Sequence, residues 1–217
     1  MPKKNKSKTL REIVYDKLKK KIIYGDIVPG ETISVGSLAK EFGTSLIPVR
    51  EALFQLDAEN AISIDTNKGY RVNSLTVKEL KDAYLIRKYL ESIAVERACE
   101  LRPDKGIKTL ESILKNMQTA IDTPKKFQIL NNQFHFQIYE YAYSPLLIHI
   151  IEMLWVRVGP YLWMFNQLQV PHKVLDTHKE MFEALVERDK DRMTKALRDD
   201  LELVEKNLIP FLEIQRH

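Results

Sequence analysis

The chain has 217 residues and a mildly basic formal net charge of +4. This length suits one small domain together with a second domain of ordinary size. With 44% hydrophobic and 29% charged residues, the composition is that of a globular protein with a buried core, which excludes extensive disorder. A single cysteine, Cys99, excludes an intramolecular disulfide framework and fits a reducing cytoplasm.

The sequence shows no signal for export or for insertion into a membrane. The basic N-terminus is not followed by an apolar stretch, so a secretory signal is not expected. The most apolar segment, residues 144–165, contains Glu152 and Arg157, which favours a core helix over a membrane span. A cytoplasmic protein without a membrane partner is therefore expected.

Positive charge is concentrated at the start of the chain. Residues 1–75 contain 13 Lys and Arg against 9 Asp and Glu, whereas residues 76–217 contain 21 of each. Lys8 and Arg11 belong to this excess; Lys8 precedes the first predicted helix, over residues 9–24, and Arg11 lies at its start. A basic arm of this kind is typical of segments that bind DNA phosphates, although a solubilising tail has the same composition.

Residues 38–56 have the pattern of a helix-turn-helix. A short helix predicted over residues 35–42 is followed by Gly43, which can end it at positive φ, and by Ser45, which can cap the next helix. This second helix repeats apolar residues at helical spacing on its inward face, at Val49, Ala52, Leu53 and Leu56. Such a pattern predicts a recognition helix for the DNA major groove, and the alternative is an ordinary helical hairpin with solvated charges.

The outward residues of the recognition helix are the candidate DNA contacts. Arg50 and Gln55 are expected to face out, and Arg50 is the best candidate for a bidentate contact with a guanine. Beyond this helix, residues 62–64 and 70–72 alternate in polarity around a turn-forming run, which predicts a two-stranded wing. Lys68 and Arg71 are the candidate phosphate or minor-groove contacts of the wing.

Residues 14–72 as a whole resemble the DNA-binding domain of the GntR family of bacterial transcription regulators. The matching residues are Val14, Leu18, Ile22, Ile23, Gly25, Pro29, Gly30, Leu38, Ala39, the run from Pro48 to Leu53, and Leu56. The resemblance implies a winged helix-turn-helix domain, predicted over residues 1–74. Family members commonly carry Arg where this chain has Leu46, so one DNA contact is missing or replaced by an apolar contact with a thymine methyl group. The operator is expected to differ at that position.

The rest of the chain, predicted as a second domain over residues 75–217, has a helical period throughout. Thr76 and Glu79 predict a capping box that opens a helix ending near Leu101. Further helices are predicted over residues 105–120, 125–143, 145–157, 160–168, 172–188 and 190–208. The expected architecture is an all-α bundle of six or seven helices.

Polar residues interrupt the inward faces of three of these helices. They are Asn131, His135, His178 and Asp200. Because burial of polar groups without partners is costly, they are expected either to bond one another or to bind an ion. For any single histidine, a hydrogen-bonded core residue is the simpler interpretation. Together, two imidazoles, a carboxylate and an amide oxygen suit Zn²⁺, Ni²⁺ or Mn²⁺, with open positions for a small carboxylate effector.

Residues 76–210 resemble the FCD ligand-binding domain that follows many GntR-type DNA-binding domains. The matching residues are Arg87, Leu90, Glu91, Phe134, His135, Pro145, Leu146, Leu147, His178, Ala196, Leu197 and Arg198. The resemblance implies a metal held by one Asp and three His. Here Asn131 stands where the Asp is usual, and Asp200 where the last His is usual. These departures either keep a charge suited to a divalent ion or mark a protein that binds its effector without metal.

Tyr84, Arg87 and Glu91 share one face of the first helix of this domain. In one interpretation Arg87 points into a pocket and binds the carboxylate of an effector. In the other, it only closes an i, i+4 ion pair with Glu91. An organic acid is the predicted effector, because a divalent ion with two neutral imidazoles and one carboxylate keeps uncompensated positive charge.

The expected function is DNA-binding transcription regulation rather than catalysis. One short helix reads few base pairs, so a homodimer on a palindromic operator is predicted, with operator affinity set by a small metabolite. The resemblance implies that the dimer contact runs through the all-α domain. The alternatives are a small metal-dependent hydrolase or lyase with a DNA-binding appendage, and an architectural DNA-binding protein without an effector.

Overall fold

The computed structural model describes residues 8–65, 69–166 and 171–214. The chain divides into two compact units, Met1–Ser74 and Leu75–His217. In its described part the first unit combines helices with a small sheet, whereas the second contains helices alone. This confirms the predicted fold class, a winged helix-turn-helix followed by an all-α bundle.

The helices of the first unit are α1 (Leu10–Ile23), α2 (Val35–Phe42) and α3 (Leu46–Ala58). Thr9 and Glu12 form a capping box that fixes the start of α1. Gly43 ends α2 with a φ of 65°, a left-handed conformation that costs glycine little. The turn that follows sets α3 against both α1 and α2. Their shared core is fully buried and includes Val14, Leu18, Ile22, Val49, Ala52, Leu53 and Leu56.

The sheet has three strands within the described residues, one more than predicted. The wing consists of β2 (Ile62–Asp65) and β3 (Gly69–Val72), and β1 (Thr32–Ile33) pairs antiparallel with the other edge of β3. A strand of two residues is too short to show alternation, so the sequence did not reveal β1. Gly30, with a φ of 82°, turns the chain towards β3 and donates its N–H to the Val72 carbonyl at 2.8 Å.

The described part of the second unit contains six helices. They are α4 (Val77–Leu101), α5 (Asp104–Thr119), α6 (Pro124–Glu140), α7 (Pro145–Asn166), α8 (Pro171–Glu187) and α9 (Lys190–Ile214). The expected capping box of Thr76 and Glu79 opens α4. The two helices predicted on either side of residues 158 and 159 are instead the single helix α7, with Pro160 inside it. Buried neighbours such as Val158 and Leu162 hold this segment in the core. Their burial offsets the free-energy cost of the backbone hydrogen bond that proline removes.

Among the described helices, α7 is long and apolar enough to cross a membrane by length and composition alone. Its apolar stretch, Pro145–Phe165, has a mean hydropathy of 1.3 and is 44% buried within the protein. It packs against α4, α6 and α9, and Ile151, Trp155 and Tyr161 are buried there. These contacts are those of a core helix in a globular bundle.

The single cysteine lies in the core of the second unit. Cys99, near the end of α4, is fully buried, and its thiol lies 3.9 Å from the Asp189 carbonyl oxygen. Burial raises the pKa of this thiol to about 11. The side chain therefore serves as an inert packing group.

Candidate functional site

The recognition helix presents an exposed N-terminal half. Arg50 is exposed in its second turn, and Leu46 is 45% exposed in its first. Ser45 occupies the N-cap position, but its hydroxyl makes no capping hydrogen bond, in contrast to the expected cap. The first N–H groups of α3 are therefore not satisfied by this side chain, which leaves them oriented to bind an anion.

Gln55, which was expected to face out, is bonded to a neighbour on its own helix. It is half-buried, and its Nε2 donates to Glu59 Oε1 at 3.2 Å. The same carboxylate accepts the Tyr15 hydroxyl of α1 at 2.7 Å. Gln55 therefore belongs to a polar contact between α3 and α1, at the margin of the exposed face.

The other predicted DNA contacts lie outside α3. Arg71 is exposed on β3, and its Nη1 donates to the Gly30 carbonyl at 2.6 Å, which ties the wing to the preceding loop. Lys8 Nζ contacts Asp16 Oδ2 at 2.5 Å, and Arg11 is exposed at the start of α1. Lys68 and the lysines at positions 3, 4 and 6 lie outside the described residues.

Two exposed side chains of α3 were not among the predicted contacts. Ile47 is 67% exposed and Phe54 is 56% exposed. The Phe54 ring meets the Tyr70 ring of the wing edge-on, with centroids 6.4 Å apart. Their signal in the sequence is that they fall outside the inward apolar repeat of the helix.

In the second unit, α6, α8 and α9 bring three of the predicted metal ligands together. His135, His178 and Asp200 are buried, and one potential ligand atom from each lies within 4.8 Å of the others. The two imidazole rings are nearly perpendicular, with centroids 4.7 Å apart. Asn131 is also buried, one helical turn before His135 on the same face of α6.

The hydrogen bonds of Tyr139 determine which nitrogen of His135 carries the proton. The Tyr139 hydroxyl donates to Glu91 Oε2 at 2.6 Å, so at 3.1 Å from His135 Nδ1 its oxygen can only accept. His135 therefore carries its proton on Nδ1 and a lone pair on Nε2. Burial lowers the pKa of His135 more than the neighbouring Asp200 raises it, which keeps the ring neutral.

A backbone carbonyl fixes the tautomer of His178, which is the same as that of His135. Its Nδ1 lies 2.7 Å from the Val174 carbonyl oxygen, which can only accept, so Nδ1 carries the proton. Nε2 of His178 is buried and has no hydrogen-bond partner among the described residues. The Asp200 carboxylate faces the unprotonated Nε2 of His135 at 3.5 Å and the protonated Nδ1 of His178 at 3.4 Å.

Asp200 is the anionic member of the cluster. Burial alone would raise its pKa, but the neighbouring His178 and His135 lower it overall, which favours the carboxylate. Thr177 donates its hydroxyl to Asp200 Oδ1 at 2.6 Å. The other oxygen, Oδ2, lies 3.5 Å from Nε2 of His135. A carboxylate oxygen thus faces an imidazole lone pair, an arrangement that a shared cation would stabilise.

A second buried group, on α4, adjoins this cluster through Tyr139. Arg87 Nε donates to Glu91 Oε1 at 2.6 Å, and Trp155 Nε1 donates to the same oxygen at 3.1 Å. The Arg87 guanidinium lies 4.6 Å from the Trp155 ring centroid and 4.9 Å from that of Tyr84. Burial lowers the pKa of Arg87, but Glu91 raises it overall, so the guanidinium stays charged. The i, i+4 pair is therefore closed and fully desolvated.

Two donors of this group have no partner among the described residues. They are Nη1 of Arg87 and the hydroxyl of Tyr84, both buried. Burial raises the pKa of Tyr84, so its hydroxyl keeps its proton. A charged and a neutral donor on adjacent turns of α4 can bind the oxygens of an anion.

These two units define a DNA-binding transcription regulator with a ligand-binding helical domain. The sequence matches the bacterial regulatory proteins of the gntR family over residues 10–72 and the FCD domain over residues 82–203. The chain therefore belongs to the GntR family, in its FCD-containing branch, as its sequence resemblance indicated.

Individual relatives agree with this assignment. The HTH-type transcriptional regulator McbR of Escherichia coli is 31% identical over 183 residues, which cover 82% of this chain and 83% of that protein. A solved structure of E. coli McbR/YncC covers 97% of this chain and 100% of its own, with a TM-score of 0.85 at 28% identity. The gluconate operon transcriptional repressor of Bacillus licheniformis is 29% identical over 200 residues, 87% of this chain and 80% of that one. These relatives are regulators, so the enzyme alternative is set aside.

Proposed function

We propose that this protein is a homodimeric, cytoplasmic regulator whose affinity for a palindromic operator is set by an organic acid bound with a divalent metal in the all-α unit. The observation that carries the proposal is the buried cluster of two imidazoles and a carboxylate at His135, His178 and Asp200, whose potential ligand atoms lie within 4.8 Å of one another. A purely structural cluster would gain more from apolar residues at these positions.

The DNA contacts proposed here divide into base and phosphate contacts. Arg50 is exposed near the start of α3, where a guanidinium can bind guanine O6 and N7. The Ser45 hydroxyl and the first N–H groups of α3 suit a backbone phosphate. The side chains that suit DNA phosphates on either side of the recognition helix are Arg71, Arg11 and Lys8, because their charges lie outside that helix. Phosphate contacts set affinity and register, so sequence preference is assigned to α3.

The donor set fits a divalent metal. His135, His178 and Asp200 would hold it, and Asn131 stands one turn from His135, where its amide oxygen could add a fourth ligand. Zn²⁺, Ni²⁺ and Mn²⁺ accept such mixed nitrogen and oxygen ligands. When bound, the metal supplies a Lewis-acid position for a carboxylate oxygen. The protein's own part is to fix both histidine tautomers and to keep the Asp200 oxygens oriented through Thr177.

The effector is proposed to be a small organic acid. Arg87 Nη1 and the Tyr84 hydroxyl offer buried donors, and leaving such donors unsatisfied costs about 1 to 3 kcal/mol each. A carboxylate supplies the acceptors that both lack and neutralises the charge left on a metal with one carboxylate ligand. One relative is named for a gluconate operon, and gluconate is a small carboxylate.

Dimerisation is proposed through the outer face of α4. This face exposes an apolar stripe at helical spacing, consisting of Leu85, Ile86, Tyr89 and Ile93, which are 46% to 61% exposed. Contiguous exposed apolar side chains of this kind are typical of association surfaces. A second copy of α4 is the occupant that fits, because a twofold axis places like residues together and matches the symmetry of a palindromic operator.

Metal retention and effector response test the proposal together. Untagged protein is analysed for bound metal, and its DNA affinity is measured over a panel of organic acids. His135→Ala and His178→Ala should each lose the metal and the response while still binding DNA, because neither side chain belongs to the winged helix unit. His149→Ala is the matched control, since His149 is an exposed histidine of α7 outside the cluster.

Each component can fail separately. A metal-free wild type that still responds to an organic acid would remove the ion from the mechanism and leave the cluster as direct hydrogen-bond partners. Wild-type protein that responds to none of the acids would refute control by an organic acid. Equal loss of response in His149→Ala would show that the readout does not report on the cluster.

A further inference from the structure

The exposed face of the recognition helix carries large apolar side chains that the core does not use. Ile47 is 67% exposed and Phe54 56%, whereas the inward residues of α3 are buried. Ile47 and Phe54 are two helical turns apart, so they lie on one line along α3, with Arg50 beside it. An exposed apolar line next to a charged residue calls for a partner that covers both.

The structure orients Phe54 without covering it. Its ring meets Tyr70 of β3 at an interplanar angle of 71°, an edge-on contact that joins the recognition helix to the wing. More than half of the Phe54 side chain stays accessible in spite of this contact. Packing against the wing therefore accounts for the direction of the ring and not for its exposed apolar surface.

Duplex DNA is the occupant that fits this face. As the second helix of the helix-turn-helix, α3 enters the major groove and contacts bases with its N-terminal residues. Arg50 lies on the same face, and the excess positive charge of the chain lies in its first 75 residues. The apolar group that base edges present in the major groove is the 5-methyl group of thymine.

We propose that Ile47 and, further along the helix, Phe54 bind thymine methyl groups on either side of the base pair that Arg50 contacts. The proposal rests on DNA binding by α3 and is independent of the effector. A rise of about 1.5 Å per residue separates the two side chains by about 10 Å along α3, so they reach different base pairs. The operator half-site should therefore contain thymines on both sides of a guanine.

Replacing thymidine by deoxyuridine tests the proposal, because it removes the methyl group and leaves base pairing intact. A duplex is first selected from a random library with the full-length protein, and its thymidines are then replaced one at a time. The wild type should lose about fourfold in affinity at each of two positions, the effect of one buried methyl-sized group at each. Ile47→Ala, or Phe54→Ala at the second position, should bind the thymine and uracil duplexes equally.

Ile13→Ala is the matched control, since it shortens an isoleucine that is 39% exposed on α1. This variant should keep the wild-type preference for thymine over uracil. Equal binding of both duplexes by the wild type would overturn the proposal, as would an Ile47→Ala variant that keeps the full preference. If the wild type still selects a defined duplex in these cases, only the thymine contacts are refuted. Refutation of DNA binding itself would show as a failure to select any duplex, so the two outcomes are distinguishable.

Discussion

Replacing Tyr139 by phenylalanine removes the oxygen atom that lies between His135 and the buried carboxylate of Glu91. That hydroxyl donates to Glu91 at 2.6 Å and accepts from His135 Nδ1 at 3.1 Å. In Tyr139→Phe the imidazole loses its acceptor, so its proton is free to move to Nε2, the atom that a metal requires. The aromatic ring remains, so the packing of α6 should persist.

The expected loss is about 10- to 100-fold in metal affinity, the usual effect of removing a group that orients a metal-ligating histidine. This corresponds to about 1.4 to 2.8 kcal/mol of binding free energy. Glu91 still accepts from Arg87 and Trp155 in the variant. The free energy of unfolding should therefore fall by about 0.5 to 1.5 kcal/mol, the net value of one hydrogen bond. Metal affinity is thus expected to change more than stability.

Competition of untagged protein against a chelator gives the metal affinity, and denaturant unfolding of the metal-free protein gives the stability. Tyr141→Phe is the matched control, because it makes the same change two residues further along, where the hydroxyl donates to the Gly106 carbonyl at 3.3 Å instead. If Tyr139→Phe and Tyr141→Phe bound metal as tightly as the wild type, the orienting role of Tyr139 would be refuted.

Three further outcomes are expected. Arg50→Ala should cost about 1 to 3 kcal/mol of DNA-binding free energy and relax the sequence preference at one base pair. Equal weakening on every DNA sequence would make Arg50 a phosphate contact instead. Deleting residues 1–8 should flatten the slope of log K against log salt and keep sequence preference, so an unchanged slope would show that the arm is a solubilising tail. If α4 forms the proposed dimer contact, Tyr89→Asp should be a monomer in light scattering, whereas Val186→Asp, at an exposed apolar site on α8, should keep the oligomeric state of the wild type. A dimeric Tyr89→Asp would exclude α4 as the contact.

The secondary structure could be predicted wherever its signal is local. The glycine that ends α2 and the capping box that opens α4 act within a few residues, so helix ends follow from the sequence. β1 depends on pairing with β3, a partner distant in sequence, and its two residues carry no pattern. Pro160 marks a helix break by local rules, but packing on both sides carries α7 through it.

The candidate site could be predicted in part for the same reason. Polar residues on inward faces identify the helices that line the site, because buried polar groups require partners. The contacts around Glu91 could not be predicted from the sequence. Tyr139 and Trp155 bond this carboxylate from 48 and 64 residues further along the chain. In a helical stripe such aromatic residues have the pattern of ordinary core. Gln55 lies at an outward position of the helical period and is half-buried, with its amide bonded to Glu59 one turn further along.

The buried thiol of Cys99 makes the second unit its own reporter of unfolding. With a pKa of about 11, about one thiol in a thousand is ionised at pH 8, and burial hides it from reagents. Alkylation therefore requires the all-α unit to open, and the winged helix unit, which has no cysteine, adds no background. The factor by which a metal ion or an organic acid slows alkylation then measures its binding free energy without any DNA in the reaction.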